Sequence, residues 1–496
     1  MNYTSTRNDT LSVSSSFAIA NGISTEGGLF VPTDIPKVTA EFIESLVPMT
    51  YIERARKVLS LYLTDFTDEE IDEDTLGAYS TGFTHEKVAP LVNLHDNVNI
   101  LELWHGPTCA FKDMALQLLP YLLTGSAERM SDGKEIVILV ATSGDTGKAA
   151  LEGFKDVPGT KILVFYPSEG VSAMQKLQMT TQQGSNVGVC AIKGNFDDAQ
   201  TGVKTIFTDP EVRKALENNN MAFSSANSIN WGRLVPQVVY YFSAYADMIA
   251  SGQISNGEKI NFTVPTGNFG NILAAYYAME MGLPVNKLIC ASNANNVLTE
   301  FINTGRYNRV RQFHTTVSPS MDILVSSNLE RLLYHLSEKG SEEIRTLFSS
   351  LSENGEYTVD PDMLAKIQKV FAAGCCDDTQ TKKTIGETFN DNNYLCDPHT
   401  GVAINVYNEY RKSTGDTTPT VIVSTASPYK FSPAVLEGLG EKVDSTDEFD
   451  MMSALDSASG VPAPKKLTEL WGAAPRFTDV CEKDEMQGVV FGMLGI

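Results

Sequence analysis

Trp104-His105-Gly106-Pro107-Thr108-Cys109-Ala110-Phe111-Lys112-Asp113 carries a single lysine just past a Gly-Pro turn. An apolar, strand-like segment, Ile100-Leu101-Glu102-Leu103, precedes it, and a helical pattern from Met114 to Leu123 follows. An aromatic and two small residues lead into Lys112, so its amine is expected among poorly solvating groups. Such surroundings lower a lysine pKa and free the amine to attack a carbonyl, as a Schiff-base lysine must. A solvated lysine at a helix start shows the same local pattern, and this stretch alone does not separate the two.

Two loops of similar build lie further along. Val140-Ala141-Thr142-Ser143-Gly144-Asp145-Thr146-Gly147-Lys148 follows a β-branched run, Ile136 to Val140, and leads into an alanine-rich helix. Val264-Pro265-Thr266-Gly267-Asn268-Phe269-Gly270-Asn271 follows the run Ile260 to Val264 and opens a helix from Ile272 to Met281. Free N–H groups at such strand–loop–helix turns hold anions, and the helix dipole helps. The first loop is not a Walker phosphate loop, because Thr142 stands where a glycine is needed and Ala149 where Ser or Thr is needed. The second lacks the G-x-G-x-x-G of a dinucleotide site. An ordinary β–α turn remains the alternative for each.

Composition narrows the class of partner. The 496 residues exceed one core and predict two or three domains. The net charge of −23 argues against nucleic acid or an anionic membrane surface as partner. An anionic substrate therefore needs a local basic pocket, for which Lys112, Lys148, Arg233 and Lys430 are candidates. The seven cysteines are dispersed, with no C-x-x-C, which reads as reduced thiols in a cytoplasm. The six histidines show no metal spacing, so no metal site is expected, and His105 and His399 read as hydrogen-bonded scaffold. Asn2 to Ser16 has no apolar signal core, and no apolar run reaches the roughly 18 residues of a membrane span.

The chain divides into three blocks. Residues 1–90 carry helical patterns at Thr39 to Leu46 and Tyr51 to Leu63, plus an acidic run, Asp65 to Asp74, that reads as a helix start or solvated face. Residues 91–440 alternate β-branched runs with helices, the pattern of βαβ units and a mostly parallel sheet. Residues 441–496 form a C-terminal extension that ends in a helical tail. Ligands of an open parallel sheet sit outside the carboxyl ends of its strands, where both glycine-bearing loops and Thr425 fall.

These segments, taken in order, resemble threonine synthase, in its longer microbial and fungal branch. The likeness includes Glu26-Gly27-Gly28-Leu29-Phe30-Val31-Pro32, the lysine stretch, the Ser143–Gly147 loop and Gly194-Asn195-Phe196-Asp197-Asp198. It continues through Ala226-Asn227-Ser228-Ile229-Asn230-Trp231-Gly232-Arg233 and the Gly267–Asn271 loop. Ser318-Pro319-Ser320-Met321-Asp322-Ile323, Asp397-Pro398-His399-Thr400-Gly401 and Ser424-Thr425-Ala426-Ser427-Pro428-Tyr429-Lys430-Phe431 complete it. Two departures stand out: Ser427 where the family has His, and Gly232 where it has Ala.

The resemblance implies an enzyme of pyridoxal-phosphate fold type II, an α/β architecture with an added N-terminal domain and two subdomains enclosing the site. It implies that Lys112 binds pyridoxal 5'-phosphate as a Schiff base and serves as the catalytic base. Gly267, Asn268, Phe269, Gly270 and Asn271 would hold the cofactor phosphate, and Thr425 would face the ring nitrogen. Thr108, Ser143, Gly144, Asp145, Thr146, Asn230 and Arg233 would surround the substrate, with the Ser143–Gly147 loop on its carboxylate and Asn230 and Arg233 on its phosphate. The implied reaction turns O-phospho-L-homoserine and water into L-threonine and phosphate, in a cytoplasmic monomer or small homo-oligomer. A phospho-lyase of the same type, releasing a 2-oxo acid, ammonia and phosphate, is the alternative. A serine/threonine dehydratase fits less well, because dehydratases lack the long N-terminal block and the Asn-Ser-Ile-Asn-Trp segment.

Overall fold

The computed structural model describes residues 1–130, 133–142, 144–169, 171–338 and 340–496, with residues 196 and 197 described by their backbone alone. Two sheets dominate it. The larger has six strands in the order Phe371–Cys375, Val285–Ser292, Ile260–Pro265, Thr420–Ser424, Val98–Glu102 and Leu91–His95. All neighbours run parallel except the last pair, where Leu91–His95 returns antiparallel at the edge. The second sheet has five parallel strands, Val480–Cys481, Val187–Ile192, Thr160–Pro167, Glu135–Ala141 and Met221–Ser224. Parallel strands are covered on both faces, so they read as unbroken apolar runs. Glu135–Ala141 is buried at each of its five central positions, and Ile260–Pro265 along its whole length.

The N-terminal block is helical and shares the main core. Thr67 caps the helix Asp68–Tyr79 in a capping box with Glu70, and Asp68, Glu69 and Glu70 fill its first turn. The acidic run is therefore a helix start, where carboxylates complement the dipole. Arg54, on Tyr51–Ser60, reaches Asp247 at 2.7 Å on the buried helix Pro236–Ala250. One apolar cluster runs from Tyr3 through Trp231 to Val423, so the N-terminal block packs into the same core as the sheets. The terminal block likewise returns to the sheets: Val480 and Cys481 pair with Ala191 and Ile192.

The helix expected from Met114 to Leu123 arrives in two pieces, Asp113–Leu116 and Leu119–Arg129. Pro120 is the cause, since it has no N–H to give to the carbonyl four residues earlier. The freed Leu116 carbonyl meets a close crossing. A Cβ on Gly153 would lie 2.0 Å from it, so only glycine lets the helix Asp145–Phe154 approach the short helix that follows Lys112. This crossing brings the Lys112 helix, from the large sheet, against the helix led by Asp145, from the small one.

Candidate active site

Lys112 is placed by backbone pairing. The Leu103 N–H donates to Ser424 O, and the Phe111 N–H donates to Thr425 O at 2.8 Å. An isolated bridge joins Ala110 to Ala426. Lys112 and Thr425 thus leave the carboxyl ends of two adjacent strands side by side. The Lys112 side chain is 10% exposed, with Nζ 3.3 Å from Ser320 Oγ and 3.5 Å from Asp145 Oδ2. Burial lowers its pKa, as do the charges of Lys430 and Arg233, against the opposing pull of Asp145. The poorly solvated amine expected from the sequence is present.

Asp145 faces two lysines. Its Oδ1 lies 2.6 Å from Lys430 Nζ and accepts from Gln175 at 3.0 Å. Burial pushes the carboxyl upward, but Lys430 and Lys112 outweigh it and hold Asp145 well below the usual carboxylate range. The sequence placed Lys148 in the same basic pocket, and the structure corrects this. Lys148 binds Glu152 at 2.9 Å and also Gln182, so its charge is spent within its own helix face. Lys430 is corrected in another sense: it is fully enclosed and bound to Asp145 and the Thr108 carbonyl, which leaves it no reach toward a substrate.

The loop before Asp145 is less open than its sequence suggests. Thr142 Oγ1 accepts from the N–H groups of both Gly144 and Gly147, at 3.0 and 2.9 Å. Gly144 is thereby a structural turn residue, and among the described residues the N–H groups of Asp145 and Thr146 meet no acceptor. Ser143 lies outside the described residues. Thr108 is also corrected: its N–H and hydroxyl both donate to Asp113, at 2.8 and 2.7 Å. Burial pushes Asp113 up to about 6 against those two bonds. Thr108 therefore anchors the start of the Lys112 helix.

The Gly267–Asn271 loop presents an unfilled donor set. Phe269 adopts φ 63, and the helix Gly270–Met281 begins behind it. None of the N–H groups of Gly267, Asn268 and Phe269 meets a protein acceptor among the described residues. The loop's carbonyls are held instead, Gly267 O by Ser326 and Asn268 O by the Asn328 N–H. Tyr240 and Tyr241 donate to Asn271 Oδ1 at 2.5 and 2.6 Å, which turns its amide nitrogen into the site. Among the described residues, the buried Nδ2 atoms of Asn271 and Asn328 have no partner. Buried donors without acceptors are costly, and a phosphate dianion at a helix N-terminus would satisfy them. The residues present therefore fit a pyridoxal phosphate, and among the described residues the buried Thr425 hydroxyl has no protein partner.

Arg233 and Asn230 part company. Asn230 donates to Ile19 O and Ser225 O and accepts from the Gly232 N–H, so its whole amide is used as a cap and brace. The expectation that it binds a substrate phosphate is withdrawn. Arg233 is buried, gives one bond to Ala226 O, and meets no carboxylate among the described residues. Burial lowers it to about 10, which leaves it charged at neutral pH. Among the described residues, the half-buried side chains of Asn227 and Ser228 in the same segment have no protein partner either. Trp231 anchors the segment, packed edge-on against Tyr3, Tyr62 and Tyr277. Of the two departures, Ser427 is enclosed and accepts from the Tyr429 N–H, while the space beside Gly232 is taken by Leu119 and Ile19.

The segments Ser318–Ile323 and Asp397–Gly401, of which the sequence assigns a role only to His399, belong to the same site. The structure joins them behind Lys112. The Ser320 N–H donates to His399 Nε2 at 3.2 Å, and His399 Nδ1 lies 2.5 Å from Asp397 Oδ2. His399 is scaffold, as expected, and so is His105, bound to Glu102 at 2.8 Å. The signal was the density of small polar residues around one proline, but partners about 80 or 200 residues apart leave no spacing to read.

Comparison with known proteins agrees with this geometry. The family model for pyridoxal-phosphate dependent enzymes matches residues 84–426, flanked by those for the threonine synthase N terminus at 2–79 and C-terminal region at 400–489. Threonine synthase of Pseudomonas aeruginosa is 39% identical over 446 residues, which are 89% of this chain and 91% of that protein. The chain belongs to the threonine synthase family of pyridoxal-phosphate-dependent enzymes. A crystal structure of the threonine synthase of Brucella melitensis with bound pyridoxal phosphate superimposes with a TM-score of 0.88, at 36% identity and 99% coverage of both chains. Human threonine synthase-like 1 is 41% identical over 90% of the chain, but the chain spans only 60% of its length. The two largely parallel sheets are those of pyridoxal-phosphate fold type II, to which the threonine synthase N-terminal region is added. No helix among the described residues is long and apolar enough to cross a membrane.

Proposed function

We propose that this chain converts O-phospho-L-homoserine and water to L-threonine and phosphate. The observation that carries the reading is Arg233: a buried, charged guanidinium with no carboxylate partner, close enough to Lys112 to lower its pKa. In a chain of net charge −23, such a group is expensive to keep unless an anion meets it. A phosphomonoester matches the guanidinium fork, and the free side chains of Asn227 and Ser228 add donors.

Lys112, the Gly267–Asn271 N–H groups and Thr425 would hold the cofactor. When bound, pyridoxal phosphate supplies the electron sink that makes an amino-acid Cα–H acidic. The protein's share is then positional and electrostatic. The N–H groups of Asp145 and Thr146 take the substrate carboxylate at a helix N-terminus. Lys112 Nζ removes the proton from Cα, a task that the lowering of its pKa by burial favours. Arg233 holds the phosphate as the Cγ–O bond breaks and stabilises the charge it gathers. Across the reaction Cγ gains a proton, and water supplies the hydroxyl at Cβ.

Product analysis tests the reading. Purified holoenzyme given O-phospho-L-homoserine should release phosphate and L-threonine in equal amounts. Release of ammonia and a 2-oxo acid with the phosphate would overturn it in favour of a phospho-lyase.

A further inference from the structure

One carboxylate, Asp145, serves two lysines at unequal distances. Lys430 Nζ lies 2.6 Å from Oδ1, while Lys112 Nζ lies 3.5 Å from Oδ2. Lys430 sits on the turn Pro428–Phe431, just past the strand Thr420–Ser424. Its ammonium also donates to Thr108 O at 3.0 Å, and Thr108 in turn binds Asp113 beside Lys112. The side chains of Lys430 and Asp145 are 0% and 3% exposed, so solvent does little to screen the pair. In such surroundings the shorter contact takes most of the carboxylate's charge, and the longer one is left underneutralised.

We propose that Lys430 is a positioning residue of the reaction: by occupying one oxygen and most of the charge of Asp145, it leaves the Lys112 amine without a full counter-ion. The amine is oriented by Asp145 Oδ2 and Ser320 Oγ, yet it is not locked as an ammonium. The Phe111 ring, 5.0 Å from Nζ, favours the ammonium weakly, but the other groups facing it act against the charge or are already occupied. Arg233 adds a second positive charge, Asp113 is bound by Thr108, and His399 reaches it only through the Ser320 N–H. A direct substrate contact does not explain Lys430, because its ammonium is enclosed and bound.

The inference rests on Lys112 being the reacting amine, not on which substrate is used. It is tested on the full-length chain freed of cofactor, by trace labelling with acetic anhydride between about pH 6 and about pH 11 and mass spectrometry of each lysine peptide. In the wild type, Lys112 should titrate below the exposed Lys412 and Lys465, and Lys430 should stay unlabelled. Lys430→Gln keeps a donor for Asp145 and Thr108 but removes the charge. It should raise the Lys112 midpoint by about one pH unit or more, so that labelling near neutrality falls roughly 10-fold. Lys430→Arg should keep the wild-type midpoint. An unmoved Lys112 midpoint in folded Lys430→Gln overturns the proposal, as does a raised KM with that midpoint unchanged, which would mark a substrate ligand. Should Lys430→Gln fail to fold, the wild type decides: Lys112 titrating with the exposed lysines, or Lys430 labelled as fast as Lys112, overturns it. Borohydride reduction of holoenzyme separately checks that Lys112 is the reacting amine.

Discussion

The backbone N–H of Ser320 donates to Nε2 of His399 at 3.2 Å. That bond requires His399 to carry its proton on Nδ1, where Asp397 accepts it. Ser320 is thereby held with its hydroxyl 3.3 Å from Lys112 Nζ. Ser320→Ala should leave the fold and KM intact and lower kcat roughly 10-fold, the scale of one lost hydrogen bond to a charged or reacting group. His399→Leu should do the same and also cost about 1–3 kcal/mol in urea unfolding, because Asp397 and the Ser320 N–H lose a buried partner. Unchanged kcat in a folded Ser320→Ala variant would remove Ser320 from the site.

Borohydride reduction of the holoenzyme should fix the pyridoxyl group to Lys112. Lys148 and Lys430 are expected to stay unlabelled, since short contacts, 2.9 Å to Glu152 and 2.6 Å to Asp145, hold their amines as enclosed ammonium ions. A peptide map with the label on either would overturn the assignment.

Two glycines of the phosphate loop should respond differently. A Cβ on Gly267 would lie 2.6 Å from Ser320 O, whereas one on Gly270 would come no nearer than 3.4 Å to a neighbour, Asn328 Nδ2. Gly267→Ala should displace the Ser320 segment and weaken cofactor binding by about 1–3 kcal/mol, the usual cost of overpacking. Gly270→Ala should cost less than ~1 kcal/mol unless it obstructs the bound phosphate. Spectroscopic titration of both variants with pyridoxal phosphate measures this; equal losses would mean that the loop's clearance on the protein side is not limiting.

Arg233→Ala should keep cofactor absorbance and lower kcat/KM for O-phospho-L-homoserine by roughly 100-fold, the size of a lost bidentate charge-assisted contact. Arg233→Lys should recover part of it, since a point charge remains but the fork is gone. Normal kinetics per holoenzyme in a destabilised Arg233→Ala variant would make Arg233 structural.

His335 sets an acid limit away from the site. Burial, with the charge of Arg331, lowers it from 6.5 to about 4, and Tyr277 OH lies 2.7 Å from its Nε2. A depressed histidine stabilises the fold above its unfolded pKa, and that contribution is lost as pH falls through the folded value. Denaturant unfolding should therefore weaken by about 2 kcal/mol more in wild type than in His335→Gln as pH drops from 6.5 toward 4. Parallel stability profiles would show that His335 does not titrate on unfolding.

The sequence by itself determined the strands, the two loops and the poorly solvated setting of Lys112. Ile136–Val140, Ile260–Val264 and Thr420–Ser424 appear as strands because apolar β-branched runs suit a sheet covered on both faces. Ordered motifs did the same for the family. Roles that depend on which hydrogen bonds are already spent were another matter. Asn230, Gly144 and Thr108 carry the right groups, but Ile19, Thr142 and Asp113 occupy them first. Lys148 and Lys430 are equally basic in sequence, yet one pairs within its helix and the other crosses between the two sheets to Asp145. Only the tertiary structure decided these, because a donor's availability depends on the acceptor packed against it. That acceptor here often lies hundreds of residues away, on an element whose approach is set by core packing.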